Sequence, residues 1–576
     1  MSLSNAINIG RSALTASQIG LNVAGNNIAN ASTPGFTRQT TRFAPAGGVG
    51  AGGFTGRGVF VEGVTRQVNE ALQSRLRASI SAQAAAQADL DVSAAVETML
   101  NELSDADLSS QLSSFFNSWS EQANLSGSPS TVVQQAQQLT GYIRDLRDGL
   151  VEQQITIDRE LGGLVERADA ILDEVADLNV AIAAAEGGQG EAGTLRDRRD
   201  ILLGELSELV DIETNELPGG AIDVLIGSTP VVLGGRNRGL TLERESTGSG
   251  IDVRIAVREN NQTAPVTSGR VGAMLDAREN AVIGTIERLD DISSNLIFEV
   301  NKLHSTGRNV SQLLEASGTL SIATGDRSLA LNDPNNASLS ELPFAAENGS
   351  FLFTVRDKAT GAERTIRVEV DLDGRDNTGA VGFTDDTSAE DIRAAINAVS
   401  GISASFNASG QLQVNAAEGF EFSFSEDSSG ALAVLGVNAF FTGENGSDIG
   451  VDQRLVGSPS LVTLGRLDGG DFVENGTALG IAQIEDNTLS ALGGESIRSS
   501  WDASVQIVGN RTSAAINRAE ATAVVREGLE AQRAGVSGVS LDEESINLLD
   551  YQRQYEGAAR LISVADEMLQ TLLALV

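Results

Sequence analysis

The chain has few side chains that could carry out acid–base, nucleophilic or thiolate chemistry. Its 576 residues include no cysteine and one histidine, His304. The lack of cysteine excludes a disulfide scaffold and a thiolate metal site. A single histidine argues against a catalytic triad or a cluster of histidine ligands, and His304 falls in a helical pattern, so we interpret it as structural. We therefore predict that the protein is not an enzyme and has no catalytic, cofactor-binding or metal site.

Three short motifs carry chemistry in other proteins, and each is interpreted here as structural. Residues 188–193 match Gly-x-Gly-x-x-Gly, but a helical pattern precedes them and Glu191 would repel a pyrophosphate, which indicates a loop. Residues 371–377 resemble a calcium-binding turn without the spacing and final Glu of an EF-hand; we favour a plain acidic turn, and calcium binding stays open. The charge run at 195–200 predicts a solvated helix face with ion pairs, or alternatively a contact with a neighbouring subunit.

The chain is strongly acidic, with a formal net charge of −38 at pH 7. Nucleic acid and anionic lipid bind clustered Lys and Arg, so we expect neither partner. No apolar run approaches the roughly 18 to 20 residues of a membrane span, and the first residues lack the basic and apolar regions of a signal peptide. We expect no membrane insertion, while export by a route that needs no such signal stays open.

Heptad patterns at the two ends predict the elements that must organise the molecule, two amphipathic helices. The N-terminal seam consists of Leu3, Ile7, Leu14, Leu21 and Ile28, with Gly10, Ser17 and Ala24 at its remaining positions. The C-terminal seam consists of Leu541, Leu548, Tyr551, Tyr555, Ala558, Ile562, Ala565, Leu569, Leu572 and Val576. Residues 1–61 contain no Asp or Glu, whereas the segment from 541 is acidic, so the ends are electrostatically complementary. Because an apolar seam on a lone helix is unstable in water, we expect the ends to pair with each other or with copies of the chain.

The interior patterns predict an α+β multidomain fold. Heptads over 150–185 predict a long coiled-coil-like helix, whereas alternation of period two from about 212, and again within 308–489, predicts strands. The expected fold thus combines terminal heptad helices and a long coiled-coil-like helical rod domain with inserted β-rich domains. The predicted domains are a terminal helical axial-core domain with a Gly-rich loop (1–61 and 539–576), a long-helix rod domain (62–211, 270–307 and 490–538), a small β-rich segment (212–269) and an inserted, outward-facing β-rich domain (308–489).

Residues 25–36 resemble the signature of bacterial flagellar rod, hook and hook-associated proteins. That signature reads Ala-Asn-Asn-x-Ala-Asn, two variable residues, then Thr-Pro-Gly-Phe, and Gly25 replaces its first Ala here. The matching residues are Asn26, Asn27, Asn30, Thr33, Pro34, Gly35 and Phe36. Pro34-Gly35 also suits the centre of a type II turn. The resemblance implies that these residues, like the two seams, serve assembly.

The acidic residues just before and at the start of the C-terminal seam indicate which member family of this group the chain resembles. Residues 538–544, followed by Leu548, Tyr551 and Tyr555, are similar to the end of the hook-associated protein 1 family, as are residues 195–203 and 269–278. Residues 308–490 match no motif that we can name. Within the wider family, hook protein is the nearest alternative.

The resemblance implies a structural subunit of the junction between the flagellar hook and filament. It implies a ring of identical subunits, hook protein on one side, hook-associated protein 3 on the other, and a cytoplasmic export chaperone at the C-terminal helix. It also implies type III export to an extracellular location without a cleaved signal peptide, and no cofactor. A secreted coiled-coil adhesin or binding module is the alternative from another functional class, and the Thr-Pro-Gly-Phe turn beside a heptad helix argues against it.

The free-energy cost of ordering the two seams predicts when they fold. Ordering a residue costs about 1 to 2 kcal/mol, which a lone terminal helix cannot recover. We therefore expect the seams to be unburied and largely disordered in the free monomer and to fold when subunits stack.

Overall fold

The computed structural model describes residues 3–47, 56–101, 107–124, 127–187, 190–247, 250–376, 378–468 and 471–574. Its helices are α1 (Leu3–Ala29), α2 (Glu70–Leu100), α3 (Leu108–Ala123), α4 (Pro129–Glu186), α5 (Gly193–Leu209), α6 (Gly269–Ala277), α7 (Gly284–Ser305), α8 (Ala389–Asn397), α9 (Ala431–Val434), α10 (Gln453–Gly457), α11 (Gly476–Gln483), α12 (Ile497–Ser537) and α13 (Leu541–Ala574). A π-helical turn, Arg278–Ile283, joins α6 to α7. No helix in the described part of the chain combines the length and hydropathy of a transmembrane segment.

The strands are short and pair in antiparallel fashion throughout the described residues. They are β1 (Gln39–Pro45), β2 (Val59–Arg66), β3 (Glu213–Glu216), β4 (Ile222–Ile226), β5 (Thr229–Leu233), β6 (Arg236–Asn237), β7 (Leu240–Thr247), β8 (Gly250–Val257), β9 (Gln262–Thr263), β10 (Gly307–Arg308), β11 (Glu315–Ser317), β12 (Gly349–Asp357), β13 (Glu363–Val370), β14 (Ile402–Phe406), β15 (Leu412–Ala416), β16 (Phe420–Ser425), β17 (Phe441–Thr442), β18 (Gly450–Val451), β19 (Gly465–Asp468) and β20 (Asp471–Val473). The predicted α+β multidomain fold class is confirmed.

The chain forms two compact units. Unit 1 comprises Met1–Ser93, Thr156–Arg278 and Thr512–Val576, and unit 2 comprises Ala94–Ile155 and Glu279–Arg511. The domain boundaries predicted from the sequence remain predictions.

Unit 1 combines long helices with three small sheets. The sheets are the hairpin β1–β2, the meander β3–β4–β5–β6 and the sheet β7–β8–β9. In the part of α4 that belongs to this unit, the heptad row with Leu161, Ala168 and Val175 is fully buried, whereas Leu164 and Leu178 of the other row are only partly buried. Asn179 on the same helix fixes β4, because its amide nitrogen donates to the carbonyl of Ile222 at 2.7 Å and its oxygen accepts from the Ile222 N–H at 3.2 Å.

Unit 2 is built around an aromatic sheet. The order β13–β12–β16 brings Phe351 and Phe353 beside Phe422 and Phe424, and all four rings are fully buried. Helix α8 covers this core with Ile392, whose helix starts at a capping box between Ser388 and Asp391. The remaining sheets of the unit are β11–β15–β14, β10–β19–β20 and β17–β18.

His304 lies at the end of α7 and is completely buried. Its Nδ1 lies 2.8 Å from the carbonyl oxygen of Asn438, and its Nε2 accepts from the N–H of Thr463 at 3.1 Å. These partners fit the neutral ring with the proton on Nδ1. Burial lowers the pKa of His304 to about 4, although the Asn438 carbonyl acts in the opposite direction. The ring therefore connects α7 to two other segments, as a structural residue does.

The lowered pKa of His304 predicts a pH-dependent stability of unit 2. The unfolded chain takes up a proton below pH ~6.5, whereas the folded chain excludes it down to about pH 4. Stability is therefore complete above pH ~6.5 and falls with pH across this window, by about 2 kcal/mol between pH 7 and pH 5. Denaturant unfolding at these two pH values measures the change. Since the chain has one histidine, His304→Gln should flatten the slope, and an unchanged slope would contradict this account.

Candidate assembly interface

The two terminal helices pack against each other in antiparallel orientation within unit 1. Gly10 of α1 lies beside Ile562 of α13, and Gly20 lies beside Tyr551. A Cβ atom added to Gly10 would lie 2.7 Å from Ile562 Cγ1, and one added to Gly20 would lie 2.6 Å from the Tyr551 ring. The helices thus approach more closely than a larger side chain would allow.

Glu544 closes one end of this helix pair. It lies in the first turn of α13 and is only 2% exposed, although it is a carboxylate. Asn27 Nδ2 donates to its Oε2 at 3.1 Å, and Arg38 Nε donates to its Oε1 at 2.8 Å. Arg38 also pairs with the exposed Glu543 at 2.8 Å. A buried charge is tolerated only with such partners, and the start of a helix favours negative charge.

The asparagines of the N-terminal signature build the corner after α1. The side-chain amide of Asn27 bonds both backbone groups of Gln39, as a residue of a paired strand would. Its Nδ2 donates to the carbonyl of Gln39 at 2.9 Å, and its Oδ1 accepts from the Gln39 N–H at 3.0 Å. Asn30 donates to the carbonyl of Asn26 and accepts from the hydroxyl of Thr33. One asparagine therefore joins α1 to β1 and to α13, and another holds the turn that follows the helix.

The Thr-Pro-Gly-Phe segment forms the predicted tight turn. The N–H of Phe36 donates to the carbonyl of Thr33 at 3.2 Å, and Gly35 has a φ of +78°, as the third residue of a type II turn requires. A Cβ atom on Gly35 would also lie 2.5 Å from Ile201. Two residues later, the N–H of Arg38 donates to the carbonyl of Ser537 at 2.9 Å, which joins the segment after the turn to the end of α12.

A buried ion network lies next to this corner, centred on Arg66. The Arg66 side chain is 3% exposed and contacts Glu191 at 2.9 Å, Asp197 at 2.8 Å and Asp200 at 2.7 Å. Burial alone lowers the pKa of Arg66, but these carboxylates outweigh it and raise the pKa above its ordinary value. Asp197 also accepts from the N–H of Thr37 at 3.2 Å, so the network supports the turn.

The charge run at 195–200 therefore differs from the solvated face predicted for it. Asp197 is 6% and Arg199 3% exposed, and Arg199 Nη1 donates to Asn179 Oδ1 at 2.9 Å. Arg196 pairs with Glu186 at 2.7 Å, which lowers the pKa of that carboxylate. The prediction is wrong for these residues because their partners come from segments distant in sequence. Glu191, in the loop at 188–193, contributes to the same network, while residues 188 and 189 lie outside the described residues.

The contact line on α1 runs along small residues, and it includes the seam positions Gly10, Ser17 and Ala24 but not the large apolar residues of the predicted seam. The predicted residues, which are partly buried, are Leu3, Ile7, Leu14, Leu21 and Ile28. The fully buried residues of the helix are Gly10, Ala16, Ser17, Gly20, Ala24 and Asn27. In the signature, Asn26, Thr33 and Pro34 are exposed, whereas Asn30, Gly35 and Phe36 are partly buried. Arg38 was not singled out, although the acid-free character of residues 1–61 was the signal for it.

The predicted seam of α13 is buried only in part. Ala558 and Ala565 are buried, and the partly buried seam residues are Leu548, Tyr551, Ile562 and Leu569. Leu541, Tyr555 and Leu572 are exposed, and Val576 lies outside the described residues. Sequence reasoning missed Glu544 as an anchor, because a carboxylate in an acidic first turn is usually solvated.

A second apolar strip on α13 lies beside the buried contact line, its centre about 100° around the helix. We call it the open flank, and it consists of Ile546, Leu561, Val564, Met568 and Leu572, which are 40 to 60% exposed. Apolar side chains concentrated on one helix face are typical of a surface that another molecule covers. The helix pair thus presents both a closed internal contact and an uncovered apolar face.

The close contact at Gly20 predicts opposite effects for two Gly→Ala substitutions in the same helix. Ala favours a helix interior by about 1 kcal/mol over Gly, so Gly25→Ala, where nothing lies within 4 Å, should slow hydrogen exchange of the helix pair. Gly20→Ala should instead destabilise the pair by about 1 to 3 kcal/mol, since its Cβ meets the Tyr551 ring. Exchange rates of amides in α13 measure both, and equal effects would show that the packing is not this tight.

Family models match four parts of the chain. They are described as the flagellar hook-associated protein FlgK helical domain (residues 93–319), the flagellar basal body rod FlgEFG protein C-terminal (532–575), the flagella basal body rod protein (7–37) and the flagellin hook IN motif (371–418). The last of these falls in the region where the sequence suggested no motif.

Similar proteins cover the whole chain. Flagellar hook-associated protein 1 of Escherichia coli is 24% identical over 99% of this chain and 100% of its own length, and that of Salmonella typhimurium is 25% identical with the same coverage. The structure of the flagellar hook junction protein FlgK from Burkholderia pseudomallei aligns with a TM-score of 0.47 and 13% identity, covering 81% of this chain and all of that one. The chain is thus similar over its full length to flagellar hook-associated proteins 1, which supports a hook-associated structural role in the bacterial flagellum.

Proposed function

We propose that this chain is the subunit that joins the flagellar hook to the filament, and that it assembles through its terminal helices without catalysing a reaction. The observation that carries the proposal is the antiparallel pair of α1 and α13, which fixes the two chain ends together and leaves the open flank of α13 uncovered. The full-length similarity to hook-associated proteins 1 supports it.

The open flank supplies a driving force for self-assembly. Complete burial of an apolar side chain the size of valine, leucine or methionine stabilises by about 1.5 to 3 kcal/mol. Its five side chains are about half exposed, so a neighbouring subunit that covers them contributes several such increments together. Stacking of identical subunits in a ring is the arrangement that would bury this flank on every copy.

The same flank accounts for the partners that we propose. Hook protein would contact the ring on one side and hook-associated protein 3 on the other, since each is expected to present terminal helices of the same kind. Before export, a cytoplasmic chaperone would cover α13, because an exposed apolar strip favours unspecific association. Export would follow the flagellar type III route to an extracellular position.

Buried polar contacts hold one end of the helix pair. We therefore expect disorder in the free monomer at the other end rather than along both seams. Glu544, Asn27 and Arg38 hold one end, whereas Leu572 and Leu573 at the other end are 57% and 73% exposed. We propose that the far end of the pair, beyond the contact of Gly10 with Ile562, orders only when a neighbour covers it. Strong hydrogen-exchange protection throughout 1–30 and 545–576 of the purified monomer would contradict this.

The assembly proposal predicts a specific defect for Val564→Asp. Val564 is 53% exposed on the open flank, so the charge should leave the monomer folded but cost several kcal/mol when a neighbour covers it. Electron microscopy of the mutant cells should show hooks without filaments, as expected for a gene deletion, while the melting temperature of the purified chain stays unchanged.

Ser563→Asp is the matched control, because it adds the same charge at the next residue, about 100° around the helix and away from the flank. Ser563 is exposed, so its substitution should preserve filaments. Normal filaments and motility in Val564→Asp would refute assembly through this face.

A further inference from the structure

Three segments of unit 2 that are distant in sequence meet after β13. Asp371 and Thr387 are joined twice, by the Thr387 N–H donating to the Asp371 carbonyl at 2.7 Å and by the Asp371 N–H donating to Thr387 Oγ1 at 2.8 Å. The N–H of Leu331 donates to the Thr387 carbonyl at 3.0 Å. The turn after β13, the residues before α8 and the loop around 331 are thereby held side by side.

Three carboxylates converge where these segments meet. Asp371, Asp373 and Asp386 each place an oxygen so that all three lie within 4.8 Å of one another. Like charges at this spacing repel, and among the described residues no Lys or Arg forms an ion pair with them. The nearby Arg375 donates to the carbonyl of Gly379 instead.

Buried oxygens without donors lie in the same place. Asp386 is only 5% exposed, and its Oδ2 accepts from Asn332 Nδ2 at 2.6 Å and from the Gly374 N–H at 3.1 Å. Its Oδ1 has no hydrogen-bond partner among the described residues, and the same holds for Oδ1 of Asn332, whose Nδ2 contacts Asp386. A buried acceptor left without a partner is costly, so two on neighbouring side chains beside a carboxylate cluster indicate a missing positive ligand.

We propose that this cluster binds a calcium ion, with Asp371, Asp373 and Asp386 as carboxylate ligands and Asn332 as an amide ligand. All donors are oxygens, which excludes a zinc-type site with His or Cys. Oxygens within 4.8 Å of one another fit around Ca²⁺, because ligands about 2.4 Å from the ion on opposite sides are about 4.8 Å apart. Mg²⁺ is smaller and demands stricter octahedral geometry, so it fits less well.

The proposed site takes up the calcium alternative left open for the acidic turn at residues 371–377, of which Asn377 lies outside the described residues. Its ligands do not follow an EF-hand spacing, because the deepest carboxylate, Asp386, lies beyond the turn and Asn332 lies before β12. The bound ion would tie the three segments together beside the aromatic core. This inference is independent of the proposed role at the hook–filament junction.

Calorimetric titration of the purified full-length chain with calcium chloride, after removal of divalent ions, tests the site. We expect one ion per chain and a higher melting temperature in calcium, with a dissociation constant in the range of about 10⁻⁴ to 10⁻³ M that extracellular sites show. Magnesium chloride should bind at least tenfold more weakly. Asp386→Asn and the exposed Asp373→Asn should each lower the calcium affinity at least tenfold.

Asp357→Asn is the matched control. Asp357 closes a tight turn by accepting from the N–H of Ala359 at 2.8 Å, and it lies at the far end of β12 from Gly349, which pairs with Val370 beside the site. This variant should bind calcium as the unmodified chain does. Absence of binding up to about 10 mM calcium, or equal affinity in Asp373→Asn and the unmodified chain, would overturn the proposal.

Discussion

The packing of α1 on α13, closed by the buried carboxylate of Glu544, is the constraint on which the interface depends. A carboxylate that is 2% exposed is tolerated only if cations and donors accompany it, and here Arg38 and Asn27 do so. Both belong to the first 38 residues, whereas Glu544 starts the last helix. The electrostatics of one side chain therefore sets the register between the two chain ends, and the glycines of α1 then allow the close approach along the rest of the pair.

Much of this arrangement could be predicted from the sequence, because the relevant signals are local. Heptad spacing predicted both terminal helices, the Pro34-Gly35 pair predicted the turn, and the contrast between an acid-free start and an acidic end predicted the complementarity that Arg38 and Glu544 realise. The residues that bear the contact were harder to predict. The heptad pattern placed Gly10 on the N-terminal seam beside large apolar residues, but it did not indicate Gly20, which also contacts α13, since two long helices approach most closely over small residues.

Features assembled from distant segments could not be predicted. Arg66 joins carboxylates more than a hundred residues away, so the run at 195–200 looked like a surface face when taken alone. The same holds for Asp386 and Asn332, which lie in separate segments and meet the turn at 371 only in the folded unit. The sequence shows which residues are charged and how apolar residues repeat. Which charged residues pair with each other in these clusters depends on tertiary packing. The open flank is unpredictable for a different reason. Its apolar residues are exposed in the single chain, and we expect only a neighbouring subunit to bury them.

The central claim is that the two ends of one chain pair with each other, and a designed disulfide tests it most directly. An added Cβ on Gly10 would lie 2.7 Å from Ile562 Cγ1, which brings the two Cβ atoms within about 4 Å, inside the range of a disulfide. The chain has no cysteine of its own, so the double variant Gly10→Cys, Ile562→Cys gives an unambiguous readout on oxidation at low concentration. The account predicts an intramolecular disulfide, and none in the double variant Gly10→Cys, Val564→Cys. Free thiols or intermolecular dimers in the first variant would contradict it.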